Sequence, residues 1–282
     1  MNNARRPGSD KDIQLVLGGG GARGLTHIVA LEAFDELGLR PAHIAGTSMG
    51  AIIGAAYASG ISGAEIREHT TRILNNKGAL LAKIWGIRPK VTFGWGTAKL
   101  GQFDAEQVLE TVLPPRVADL IENTEIPLTI VATDYFAWQE TLFREGNMRS
   151  AVAASIALPA IFRPVVIDGR VLIDGGASNA LPFDHVPETG ITIALDVMGG
   201  PVEEEDSQLP SPTSVVFGAM QILSQTITSK KLDDFSPEIL LRPPTDNFKV
   251  LDFLKIDEIL TAAIPFKDEL KRKIDEVLAK VD

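Results

Sequence analysis

The chain has 282 residues, 45% of them hydrophobic and 23% charged, with no cysteine and a net charge of -10 from 27 basic and 37 acidic side chains. That length and mix suit one large folded domain or two small ones and argue against disorder. The lack of cysteine excludes disulfides, thiolate nucleophiles and thiolate-held metals, and the acidic balance is a poor match for nucleic acid.

In chain order, residues 1–12 are polar and carry Arg5, Arg6 and Lys11. No apolar leader follows, so a flexible tail is expected. No run of about 18 apolar residues is present, and a cytoplasmic location with at most peripheral membrane contact is expected. Ile13–Leu17 is a short apolar run ending at Gly18, the pattern of a buried strand. Residues 24–37 place Leu25, Ile28, Val29, Leu31 and Leu37 at helical spacing, with Gly38 as the stop. His43–Ala45 reads as a second strand, and Ala51–Ala58, small and apolar all round, as a helix packed centrally on a sheet. His69 falls in a polar helix, where it is expected to be exposed.

Further on, Ile126–Thr133 is a strand by its β-branched content. Val165–Ile167 and Val171–Ile173 flank the turn signal Asp168-Gly169-Arg170. Ile191–Val197 is another strand, and Pro201–Pro212, with Glu203 to Asp206 between prolines, is a solvated loop. Residues 256–281 read as two helices broken before Pro265. Alternating strands and helices predict an α/β fold with a mostly parallel central sheet flanked by helices on both faces. No linker interrupts residues 13–282, so a single domain is expected, closed by C-terminal helices over 256–282.

Three clusters carry candidate chemistry. Gly18-Gly19-Gly20-Gly21-Ala22-Arg23-Gly24 follows the first strand and opens a helix. Glycines let the backbone approach a ligand, and the N–H groups of a helix start face negative charge. Gly19, Gly21 and Gly24 also fit the dinucleotide pattern, but the next strand ends without the acidic residue that pattern needs, and the lysine of a P-loop is missing. Gly46-Thr47-Ser48-Met49-Gly50 is a G-x-S-x-G sequence between a strand and a small-residue helix, the setting of a nucleophile elbow. A serine capping the helix would not need glycine on both sides. Asp174-Gly175-Gly176 ends a strand with a carboxylate beside open backbone; alone it reads as a turn. Of the four histidines (27, 43, 69 and 185), only His185, in a loop, is a fair alternative base.

Taken together and in this order, the clusters resemble the patatin-like phospholipase family. Gly19 to Gly24 match its glycine-rich loop, Gly46 to Gly50 its nucleophile, and Asp174-Gly175-Gly176 the aspartate of its Ser–Asp pair. Ala154 to Pro164 also looks like the family's segment before that aspartate. The resemblance implies a patatin-like three-layer sandwich. It implies a serine acyl-hydrolase, with phospholipids or lysophospholipids as substrate and neither metal nor organic cofactor. Ser48 would attack, Asp174 would act as base, and the loop (Gly19, Gly20, Gly21, with Arg23 shaping it) would hold the oxyanion. A silent lipid- or acyl-binding regulator of the same fold is the competing expectation.

One further segment bears on partners. Between His69 and Phe103 lie Arg72, Lys77, Lys83, Arg88, Lys90 and Lys99, with no acidic residue, alongside Trp85 and Trp95. Basic groups beside tryptophan suit anionic lipid, so this stretch is expected to form a lid or a membrane-docking surface.

Overall fold

The computed structural model describes residues 12–76, 78, 102–200, 209 and 211–281. The segment holding Trp85 and Trp95 and most of the 201–212 loop lie outside the described residues.

Among the described residues, eight strands form one sheet: β1 (Ile13–Leu17), β2 (His43–Thr47), β3 (Leu128–Asp134), β4 (Gln139–Phe143), β5 (Val165–Ile167), β6 (Arg170–Asp174), β7 (Ile191–Leu195) and β8 (Ile239–Leu241). The order is β5-β6-β3-β2-β1-β7-β8, with β4 also on β3. β3, β2, β1, β7 and β8 run parallel, while β4, β5 and β6 join antiparallel. Every residue of β1, β3 and β7 is buried, as parallel strands covered on both faces require. Alternate side chains of β1 show the two layers. Ile13, Leu15 and Leu17 join the main core, whereas Val16 packs with Ala194, Leu181 and Phe183 on the other face.

The helices among the described residues are α1 (His27–Glu36), α2 (Met49–Ala58), α3 (Gly63–Asn75), α4 (Ala105–Val112), α5 (Met148–Ser155), α6 (Pro212–Asp234), α7 (Ile256–Ala262) and α8 (Ile264–Val281). α2 is wholly buried against β1 and β2. Its small residues permit this: a Cβ on Gly50 would lie 2.0 Å from the Leu17 carbonyl oxygen. α3 begins with a capping box formed by Ser62 and Glu65. The expected helix over 24–37 is α-helical only from His27, and Gly21–Thr26 wind as a tighter 3-10 stretch. Close packing explains the difference, because a Cβ on Gly24 would overlap the Met49 side chain. Among the described residues no helix is long and apolar enough to cross a membrane.

The placement of β6 sets up the site. β3 pairs with β4 along one edge from Ile130 to Asp134. Its other edge is shared: β2 takes Leu128 to Val131, and β6 takes Ala132 to Asp134. β2 and β6 approach from opposite directions, so their C-terminal ends meet. Thr47 stands opposite Val131, and Asp174 stands opposite Ala132.

Candidate active site

Ser48 is the residue after β2 and Asp174 the last residue of β6, so the shared edge of β3 brings together two residues 126 positions apart. Ser48 Oγ donates a hydrogen bond to Asp174 Oδ2 at 2.7 Å. Ser48 has φ 54° and ψ -119°, a conformation that costs a non-glycine residue about 1–3 kcal/mol and must be held by its surroundings. Gly46 and Gly50 make that turn possible: a Cβ on Gly46 would lie 2.6 Å from the Gly50 carbonyl oxygen. The Ser48 N–H donates to Ser155 Oγ at 2.8 Å, and Ser155 Oγ donates to the Val131 carbonyl at 2.6 Å. Ser155, the last residue of α5, is fully buried and ties the turn to β3.

Asp174 is buried, and burial pushes its carboxyl up from 3.8 to about 6, against the opposing pull of its hydrogen bonds from Ser48 and from the Gly176 N–H. It is therefore ionised at neutral pH and poised close to it. Thr133 Oγ1 donates to the Asp174 carbonyl, and the Asp174 N–H donates to the Ala157 carbonyl, fixing the backbone on both sides.

The glycine loop faces this pair. A Cβ on Gly19 would sit 3.3 Å from Ser48 Cβ. The Gly19 N–H is already used, donating to the Ala180 carbonyl at 2.8 Å. The N–H groups of Gly20 and Gly21 meet no acceptor among the described residues, and both glycines line the cavity at Ser48. Gly20 is pressed against the Val197 carbonyl and Gly21, at φ +59°, against that of Val250, so neither position has room for a side chain. Arg23 is buried behind the loop, beneath Gly199, where Asp196 and Asp246 offset a burial that lowers its pKa. Its Nε and Nη1 meet no hydrogen-bond acceptor among the described residues.

A cavity of about 410 Å³ opens at Ser48 and Asp174. Met49, Ile52, Ile53 and Ala56 form its floor along α2, with walls from α3 and α4 and with Phe217 and Met220 of α6 over it. Ser48 to Ala56 spans about 12 Å at the helical rise. Asp174 is the only charged side chain among the described residues of the lining. The cavity fits a flexible apolar chain with its polar end at Ser48.

The histidines stand elsewhere. His27 is buried with Nε2 on the Gly18 carbonyl, and burial lowers it to about 4, so it is neutral and holds the loop. His69 is half-buried against the Val112 carbonyl, not exposed as expected, because α3 packs on α4. His185 Nε2 lies 2.8 Å from Glu140, beside Asp184. Asn179 donates to both carboxylates and Lys231 pairs with Asp184 at 2.5 Å, so protein donors already serve this group, and none of its members lines the cavity. Sequence reasoning missed Ser155. The signal was present in Ala154 to Pro164, but nothing local gave that serine a role.

The mostly parallel sheet, the strained serine after β2 and the facing glycine loop share the strand–turn–helix geometry of a nucleophile elbow. The sequence model of the Patatin-like phospholipase family matches residues 15–186, and the chain belongs to that family. It is 33% identical over 208 residues to an uncharacterized NTE family protein of Mycobacterium tuberculosis, an alignment covering 71% of this chain and 54% of that one. It is 29% identical over 273 residues to human patatin-like phospholipase domain-containing protein 6 (88% and 19%), and 22% identical over 285 residues to lysophospholipase nte1 of Aspergillus fumigatus (93% and 18%). The chain thus spans about half the length of its mycobacterial relative and about a fifth of the human and fungal ones.

Proposed function

We propose that this protein hydrolyses acyl esters of phospholipids or lysophospholipids through an acyl-enzyme. Ser48 is the nucleophile and Asp174 its base. The observation that carries the reading is the 2.7 Å hydrogen bond from Ser48 Oγ to a buried carboxylate at the mouth of an apolar cavity. In the first step Asp174 takes the hydroxyl proton as Ser48 Oγ attacks the ester carbonyl. The carbonyl oxygen, now negative, takes hydrogen bonds from the Gly20 and Gly21 N–H groups, with the N-terminal end of α2 adding positive potential. Asp174 passes its proton to the departing alcohol. Water, deprotonated by Asp174, then releases the fatty acid and restores Ser48. A carboxylate is a weak base for a hydroxyl, so the two backbone donors must supply much of the rate, on the order of 3–4 kcal/mol each.

Gly19 contributes clearance rather than a donor, since its N–H is taken, and Arg23 anchors the loop from behind. Membership of the family and similarity to a fungal lysophospholipase support the substrate class. The test is labelling with a fluorophosphonate probe, peptide mass mapping of the adduct, and turnover of a lysophosphatidylcholine. An adduct on Ser48 together with release of fatty acid is the expected result. An adduct on another residue, or a chain that neither labels nor releases fatty acid, would overturn the reading.

A further inference from the structure

We propose that the turn Tyr135–Trp138 and the outward face of α6 form a lipid-docking surface that seats the Ser48 cavity on a bilayer. The inference rests on the acyl-hydrolase reading for its choice of partner, and on separate residues for its location.

Position comes first. Thr47, just before Ser48, stands opposite Val131, and β3 continues past that level to Asp134 before turning. At the rise of a strand, Tyr135 lies about 13 Å beyond Thr47, so the turn projects from the sheet edge that carries Ser48. The turn is built to present its side chains. Buried Asp134 accepts the N–H groups of Phe136 (3.1 Å) and Ala137 (3.0 Å), and the Trp138 N–H closes on the Asp134 carbonyl. Trp138 adopts φ +58°. The result is three aromatics in water: Tyr135 is 53%, Phe136 76% and Trp138 91% exposed.

The helix beside the turn repeats the pattern. Ile227 shares a shallow depression with Tyr135 and Trp138, so turn and helix are contiguous. One face of α6 puts Phe217 and Met220 on the cavity. The opposite face carries Val215, Val216, Ile222 and Leu223, all more than half exposed. A helix apolar on both sides is expected to be covered on both. Leu251 extends the surface across the mouth, since it both lines the cavity and is about half exposed.

Charge and geometry choose the occupant. In a chain of net charge -10, residues 212–229 carry no charged side chain, and at the end of α6 Lys230 pairs with Asp233 and Lys231 with Asp184, so the patch itself is uncharged. An uncharged aromatic and aliphatic patch suits the interface of a bilayer, where tryptophan and tyrosine settle at headgroup depth. A protein seated on this patch, or a second copy of the chain, would close the cavity mouth. A bilayer would instead deliver an acyl chain into it.

The experiment is co-sedimentation of the whole chain with phosphatidylcholine–phosphatidylglycerol vesicles. Wild type is compared with Phe136→Ser/Trp138→Ser, with Ile222→Ser/Leu223→Ser and with Trp85→Phe/Trp95→Phe. In the last background Trp138 is the sole tryptophan, and its fluorescence is read against lipids brominated on the acyl chain. The expected result is a partition coefficient lower by on the order of 10- to 100-fold in each serine double variant. Trp138 should be quenched, and kcat/KM on a water-soluble short-chain ester should stay within about twofold of wild type. Unchanged partitioning in the serine variants, an unquenched Trp138, or a wild type that does not bind vesicles would overturn the proposal. So would sedimentation velocity showing a dimer that the serine variants lose. Vesicle binding without lipid hydrolysis would instead leave the docking surface standing and remove the acyl-hydrolase reading.

Discussion

Replacing Ser155 with alanine should release the turn that carries Ser48, although the residue touches no substrate. Ser155 Oγ accepts the Ser48 N–H at 2.8 Å and donates to the Val131 carbonyl at 2.6 Å, and it is fully buried. Alanine removes one hydroxyl and leaves the Ser48 N–H without its acceptor, a loss of about 1–3 kcal/mol. The strain at Ser48, φ 54°, worth about 1–3 kcal/mol, drives the turn to relax once the tether is cut and returns part of that loss. The expected outcome is a protein less stable by about 1–2 kcal/mol in urea denaturation, with kcat/KM on a p-nitrophenyl ester reduced on the order of 10- to 100-fold because Ser48 Oγ no longer holds its position. Fluorophosphonate labelling should slow in step with turnover. If Ser155→Ala unfolds within about 0.5 kcal/mol of wild type and keeps its labelling rate, the tether is not what holds the elbow.

Other consequences can be checked alongside. Activity that needs ionised Asp174 should rise with pH through about 6, and a kcat/KM profile flat from pH 5 to 8 would contradict the assignment. Burial holds the Asp174 proton more tightly in the folded state than in the unfolded state. Ionising it therefore costs the fold about 3 kcal/mol, a cost absent below pH 4 and complete above pH 6. Asp174→Asn should accordingly be more stable than wild type at pH 7.5 by up to that amount, with the gain fading toward pH 4, as read by urea denaturation across pH. Neutral His27, lowered to about 4, works in the opposite direction: its contribution is complete above pH 6.5 and lost as the pH falls through 4. The variant's stability should therefore climb more steeply than wild type's over that window. Ala56 lies on the cavity floor about 12 Å from Ser48, so Ala56→Phe should cut turnover of long-chain esters about 10- to 50-fold through the loss of two or three methylene contacts, while short-chain esters are spared; an unchanged chain-length profile would mean that acyl chains do not run along α2.

Much of this was legible in the sequence because the central strands and α2 are mostly apolar on both faces, a pattern that a sheet covered on both sides buries. The turn at Ser48 was legible for a related reason, since Gly46 and Gly50 sit where backbone comes within 3 Å of any added Cβ. The meeting of Ser48 with Asp174 was legible only as a family resemblance. Physically it depends on β3 sharing one edge between β2 and β6, a pairing that no local pattern encodes. α6 escaped notice for the opposite reason: apolar on the cavity side and on the outer side, it has no helical periodicity to read. Ser155 and Thr133 are common residue types whose value comes from the atoms that folding places beside them, the Ser48 N–H and the Asp174 carbonyl.

Ser48 and Asp174 are expected to act as one unit. The most direct test is kcat/KM for a short p-nitrophenyl ester with wild type, Ser48→Ala, Asp174→Asn and the double variant. Each single variant should lose at least about 10³-fold and the double variant little more than either, since a nucleophile without its base and a base without its nucleophile fail alike. Retention of activity by Asp174→Asn, or losses that multiply in the double variant, would contradict it.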